Sequence, residues 1–235
     1  MRAVVLSGGL THDFPATTSC LTALLAPLGV ASEVHEGVDG VDEAFLALPG
    51  ADLLVVNALR WTMTGPGVPD RYREQADAEG ASPSAAARAA FADHLAGGGG
   101  VLAVHTAALC FDDWPEWGAA LGARWVWGRS QHPPLGPEID VSVVGDGDLV
   151  GGVEGFSLVD EVYGDMDLAG DLDPQLAAPQ PVTDGRTMPL LWAREHGGGR
   201  VVYDALGHHP PSYAVPEHAE IVTRAARWAL GGRGG

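Results

Sequence analysis

Short apolar runs set off by glycine, and separated by stretches of helix length, constrain this chain more than any other feature. Ala3-Val4-Val5-Leu6, Leu53-Leu54-Val55-Val56 and Val101-Leu102-Ala103-Val104 carry no polar residue. A strand that alternates polar and apolar residues has one wet face; runs like these are buried on both faces, as in a parallel sheet covered by helices. The segments between them read as helices. Pro15–Leu28 has proline near its start and Gly29 just past its end, and Ser84–Ala96 begins on a capping serine. The resulting βαβαβ order implies a doubly wound, mostly parallel α/β sheet with right-handed crossovers.

The pattern changes in the second half. Ile139–Val144 and Phe156–Tyr163 read as strands, and Trp114–Leu121 as a helix. Leu190–Arg194 and Arg200–Asp204 read as a hairpin around His196-Gly197-Gly198-Gly199. Glu217–Leu230 reads as a closing amphipathic helix, and Gly231–Gly235 as a frayed tail. Trp61–Gly80, rich in Gly, Pro and charge, reads as a long loop or an irregular insertion near the strand-end face. Neither a repeat nor a linker divides the 235 residues, so a single domain over 1–235 is expected.

In a parallel sheet, ligands bind at the carboxyl ends of the strands. His105 ends the run Val101–Val104, His12 follows the first strand, and His208 and His209 follow Arg200–Asp204. His132 lies in Gly128-Arg129-Ser130-Gln131-His132. Imidazoles gathered at one sheet edge suit acid–base chemistry or a divalent metal such as zinc, with His105, His132 and His208 as candidate ligands. No His-Glu-x-x-His or Cys-x-x-Cys spacing is present to fix that choice. Asp160 and Glu161 are adjacent, and on a strand they point to opposite faces, so one at most enters the crevice. His35, His94, His196 and His218 sit in polar surroundings and are expected in solvent. Trp228 is expected in the core; Trp61, Trp127 and Trp192 are open to core packing or to stacking on a sugar ring.

Charge narrows the ligand. With 31 acidic and 13 basic residues the formal net charge is −18, which disfavours nucleic acid and anionic membranes. Every basic residue is arginine, which excludes a Schiff-base lysine and a Walker phosphate loop. Cys20 and Cys110 suggest a reduced compartment without a disulfide framework. No apolar stretch reaches membrane-spanning length, and the first strand begins almost at Met1, so a cytoplasmic protein is expected. A dimer is expected on base rates alone.

The segments Gly8–Asp13, Gly99–Ala107, Gly128–Pro134, Asp160–Tyr163 and Leu190–His209 occur in this order over nearly the whole chain. Together they resemble the ThuA-like (trehalose-utilisation) family of the class I glutamine-amidotransferase-like superfamily. The resemblance implies a flavodoxin-like fold and a sugar, a disaccharide or a keto-sugar derivative, as the partner. Amidotransferases of that superfamily carry a nucleophilic cysteine at the strand-to-helix elbow where this chain has His105. Cys110 falls past the elbow, so glutamine hydrolysis is not expected.

The resulting expectation is an isomerase, epimerase or lyase in which His105 and Glu161 are catalytic. His12, His132, Tyr163, Trp192, His208 and His209 would contact substrate, directly or beside a metal. The alternatives are a non-catalytic sugar-binding or regulatory module and a metal-dependent hydrolase.

Overall fold

The computed structural model describes residues 1–136, 138–180 and 185–231. Its first half is built from β1 (Arg2–Gly9), α1 (Phe14–Leu25), β2 (Ala31–Glu36), α2 (Gly40–Leu46) and β3 (Leu53–Leu59). Two four-residue helices follow, α3 (Asp70–Arg73) and α4 (Ala76–Glu79), then α5 (Ala85–Ala96) and β4 (Gly100–Val104). A 3₁₀ turn (His105–Leu109) leads to α6 (Pro115–Leu121) and the short β5 (Ala123–Arg124). The rest comprises β6 (Glu138–Val143), β7 (Phe156–Val159), β8 (Asp167–Leu168), β9 (Pro174–Pro179), β10 (Thr187–His196), β11 (Gly199–Asp204), α7 (Pro210–Ala214) and α8 (Pro216–Ala229).

Nine strands form one sheet in the order β2-β1-β3-β4-β11-β10-β9-β6-β7. The first five are parallel neighbours, and their order is that of a flavodoxin-like sheet. From β11 onward every neighbour is antiparallel. Residues of β3 and β4 are buried without exception, as expected of strands covered on both faces. By contrast β6 and β7 alternate buried and exposed residues, the mark of a sheet with one wet face. Helices α1, α7 and α8 pack together, as do α2 and α5.

The β10–β11 hairpin turns through Gly197 and Gly198, both at positive φ (59° and 93°); the tight turn requires that conformation, and glycine adopts it without strain. One expectation needs correction, and two segments gain detail. The strand read as Phe156–Tyr163 stops at Val159, because Asp160 turns back to accept hydrogen bonds from backbone N–H groups. The loop over 61–80 contains α3 and α4, and β9 lies in a Gln/Ala/Pro-rich segment that carries no strand signal. The expected frayed tail falls, beyond Gly231, outside the described residues.

Candidate metal centre at the carboxyl edge of the sheet

β4 delivers His105 to the edge in a left-handed conformation (φ 48°), uncommon for a residue with a Cβ and characteristic of functional turns. The Tyr203 hydroxyl holds that backbone by donating to His105 O at 2.8 Å. His105 Nδ1 lies 2.8 Å from Ala205 O; a carbonyl only accepts, so Nδ1 carries the proton and Nε2 presents a lone pair. Around Nε2 stand the Tyr163 hydroxyl at 2.9 Å, His208 Nδ1 at 3.2 Å and Glu161 Oε2 at 3.5 Å. Glu161 Oε2 is also 3.3 Å from His208 Nδ1, and Oε1 is 3.1 Å from His132 Nδ1.

His12 closes the group. Its ring centroid lies 4.5 Å from that of His208 and 5.2 Å from that of His105. Nδ1 faces Leu10 O and the Thr11 hydroxyl. Nε2 is buried and has no hydrogen-bond partner among the described residues. One donor atom from each of His12, His105, Glu161 and His208 lies within 4.8 Å of all the others.

Burial works against an ionised Glu161, but the surrounding His105, His132 and His208 rings outweigh it and hold the carboxyl far below the usual carboxylate range. His12 is pushed down to about 3 by burial and by its His105 and His208 neighbours, so it stays a neutral imidazole. The bond to Glu161 moves His132 the other way, upward, against the effect of burial. An anionic carboxylate among imidazole nitrogens, one of them the His12 Nε2 that has no partner among the described residues, is a donor set suited to a divalent ion such as zinc.

Of the residues the sequence singled out, His12, His105, His132, Glu161, Tyr163 and His208 come together. His209 lies beside them, with its ring 5.9 Å from that of His208 and Nδ1 3.2 Å from the Ser212 hydroxyl. Trp192 does not join the cluster: it is fully buried against Tyr203, and its indole N–H donates to Leu121 O at 2.8 Å. His94 and His218, expected in solvent, are buried; His94 Nε2 pairs with Gly100 O, and His218 pairs with Asp204 and Ser212 O. Cys110 is buried 3.1 Å from Ala58 O, and burial pushes its thiol up to about 12, which leaves it a poor nucleophile.

Sequence reasoning left Trp61 and Trp127 open to sugar stacking but did not single out Trp125 or place an aromatic wall beside the cluster. Trp125 packs edge-on to Tyr163 and near His132, and Trp127 stacks on Trp61 with Tyr72 across both. The cluster of tryptophans between 114 and 127 was the available signal. It mixes two populations, since Trp114 and Trp117 pack in the main core with Phe45 and Phe91.

A flavodoxin-like sheet with a histidine-rich centre at its carboxyl edge defines the class, and the comparisons narrow it. The ThuA family, described as trehalose utilisation, matches residues 2–229, and the chain belongs to that family. A ThuA-like protein from Parabacteroides merdae shares the fold at a TM-score of 0.77 and 18% identity, covering 100% of this chain and 91% of its own. One from Bacteroides uniformis gives 0.67 at 16% identity over 97% of this chain and 91% of its own. A cytoplasmic protein from Salmonella typhimurium gives 0.60 at 13% identity, with full coverage of both chains. No curated protein matches the chain. Among the described residues, no helix is long and apolar enough to cross a membrane.

Proposed function

We propose that this protein is a divalent-metal enzyme of carbohydrate metabolism that exchanges a proton next to the carbonyl of a keto-sugar or keto-disaccharide. The carbohydrate class follows from the family. The metal reading is carried by one observation: His105 Nε2, His208 Nδ1 and Glu161 Oε2 are mutually separated by 3.2, 3.3 and 3.5 Å. Four ligands at zinc-like bond lengths of about 2.0–2.1 Å stand about 3.3–3.4 Å apart at the corners of a tetrahedron. Three donors already have that spacing, and the uncommitted His12 Nε2 supplies a fourth. Ala205 O, which holds the His105 tautomer, is the kind of outer partner that ligating histidines require.

Within this reading His105 and Glu161 are ligands, and the proton carrier is His132. Its Nδ1 is engaged by Glu161 and by Pro133 O at 2.8 Å, which leaves Nε2 to exchange a proton with substrate. A bound divalent ion supplies Lewis acidity for the carbonyl oxygen. The Tyr163 hydroxyl occupies the His105 lone pair; once that lone pair is used by a ligand bond, the hydroxyl is free to donate to a substrate oxygen. Trp125 and Trp127 offer flat apolar faces of the kind that sugar C–H surfaces stack on.

The test is exchange in D₂O. Protein loaded with Zn²⁺ or Mn²⁺ is expected to introduce deuterium next to the carbonyl of a keto-disaccharide. A chelator should abolish exchange, and His132→Ala should slow it by about 10²–10⁴-fold with the metal retained. Hydrolysis of the glycosidic bond without exchange would replace the reading by a metal-dependent hydrolase. Absence of both with every metal would overturn it.

A further inference from the structure

Asp160, the other half of the acidic pair, faces away from the centre and takes no part in the chemistry above. It is buried, and each of its hydrogen bonds among the described residues is one that it accepts. Oδ1 accepts from Glu161 N at 2.8 Å and from His208 N at 3.4 Å. Oδ2 accepts from Gly207 N at 2.8 Å and from the Ser212 hydroxyl at 2.6 Å. Two of the backbone donors belong to ligand residues themselves, and these lie 47 positions apart in the chain.

The turn that Asp160 grips is fixed by side chains on several sides. Gly207 sits at φ +107°, and a Cβ there would strike the Tyr213 hydroxyl at 2.3 Å. The turn enters through Leu206 N, which donates to Asp204 Oδ1 at 3.0 Å, and Asp204 is itself fixed by His218 at 2.9 Å. His105 Nδ1 ties Ala205 O to the third ligand. Among the described residues, Asp160 is therefore the one side chain hydrogen-bonded to both the Glu161 and the His208 backbone.

We propose that Asp160 is a positioning residue: its carboxylate clamps the Glu161 and His208 arms together and thereby sets the affinity of the centre for its metal. This rests on the metal reading above. Only a carboxylate serves, because each oxygen faces at least one backbone N–H, and a backbone N–H cannot reverse its role. An asparagine in either orientation turns its own N–H₂ against one of them. Outer partners of this kind are worth about 10–100-fold in metal affinity when removed.

The experiment compares wild type with D160N by Zn²⁺ titration and by the side-chain ¹⁵N signals of the histidines in metal-free protein. The expected result is a 10–100-fold weaker Zn²⁺ affinity together with altered ring-nitrogen shifts for His105 and His208. His94, bonded to Gly100 O at the opposite end of β4, should keep its signals. A merely structural Asp160 would lower the melting temperature and leave both readouts unmoved; Zn²⁺ affinity within twofold of wild type, or unchanged His105 and His208 signals, overturns the proposal. If wild type binds no Zn²⁺, the metal reading fails and the ¹⁵N comparison alone decides whether Asp160 sets the geometry of the two arms. Should D160N not fold, S212A takes its place. Removing one donor of four is expected to weaken Zn²⁺ about threefold and to shift the His208 signals, and an S212A protein indistinguishable from wild type in both readouts overturns the clamp.

Discussion

Two histidine–carboxylate groups lie close together at the end of β11, and they are finished in opposite ways. His218 and Asp204 form a closed pair in which both ring nitrogens and both carboxylate oxygens have one partner each. In the His12–His105–Glu161–His208 group, lone pairs and acceptors crowd together, and one nitrogen has no partner among the described residues. A buried polar group left unpaired costs free energy unless something arrives to pair it. The closed pair therefore has the form of a structural element, and the open group has the form of a site waiting for a ligand.

The largest effect expected from this contrast is on the closed pair. His218→Ala leaves Asp204 buried without its partner, which should cost about 3–5 kcal/mol of stability, read by urea denaturation. Zn²⁺ should still stabilise that variant, since all four ligand side chains remain. The pair also has a pH signature. Burial opposes a charged His218, but Asp204 prevails and raises its pKa in the folded state. The stability contributed by this charge is then complete below the unfolded-state value near 6.5 and is lost as pH rises through the raised folded value. Relative to His218→Gln, wild type should lose its advantage on going from pH 6 into the alkaline range. An advantage that grows with pH would contradict the pairing.

The open group should show the reverse pattern. At Zn²⁺ a hundredfold above Kd, wild type gains about 2.7 kcal/mol of stability by linkage. His208→Ala should abolish most of that gain while changing the metal-free stability little, since it removes a half-buried ring from a crowded cluster. A His208→Ala protein as destabilised without metal as His218→Ala would erase the distinction between the two groups.

The same contrast accounts for what sequence can disclose. Parallel strands such as β3 and β4 declare themselves because burial on both faces demands apolar residues throughout, and a strand's end locates His105 and His12 at once. β9 gives no such signal, since Gln175 and Pro179 are accommodated by its neighbours rather than by its own pattern. Among the histidines, sequence gathers those on strand-end loops but cannot separate His218 from solvent. His218 sits in the first turn of α8, and its partner Asp204 lies 14 residues earlier, on β11. Glu161 was legible as one of a pair; which of the two faces the site depends on the chain leaving β7 after Val159, a tertiary event. Trp192 was misleading because aromatic residues serve core and ligand equally well.

Tryptophans provide the finest test of the comparison. Trp192 spends its N–H on Leu121 O, whereas the buried Trp125 Nε1 meets no acceptor among the described residues. Trp192→Phe removes the donor and strands a buried carbonyl, so it should cost about 1–2 kcal/mol without altering Zn²⁺ affinity or deuterium exchange. Trp125→Phe removes a donor that was already unpaired, so it should cost less than Trp192→Phe, losing packing alone. Because Trp125 borders Tyr163 and His132, its loss should instead appear as a weaker KM for the keto-disaccharide. Equal stability losses in the two variants would show that the indole N–H of Trp125 is satisfied after all, and would remove it from the substrate wall.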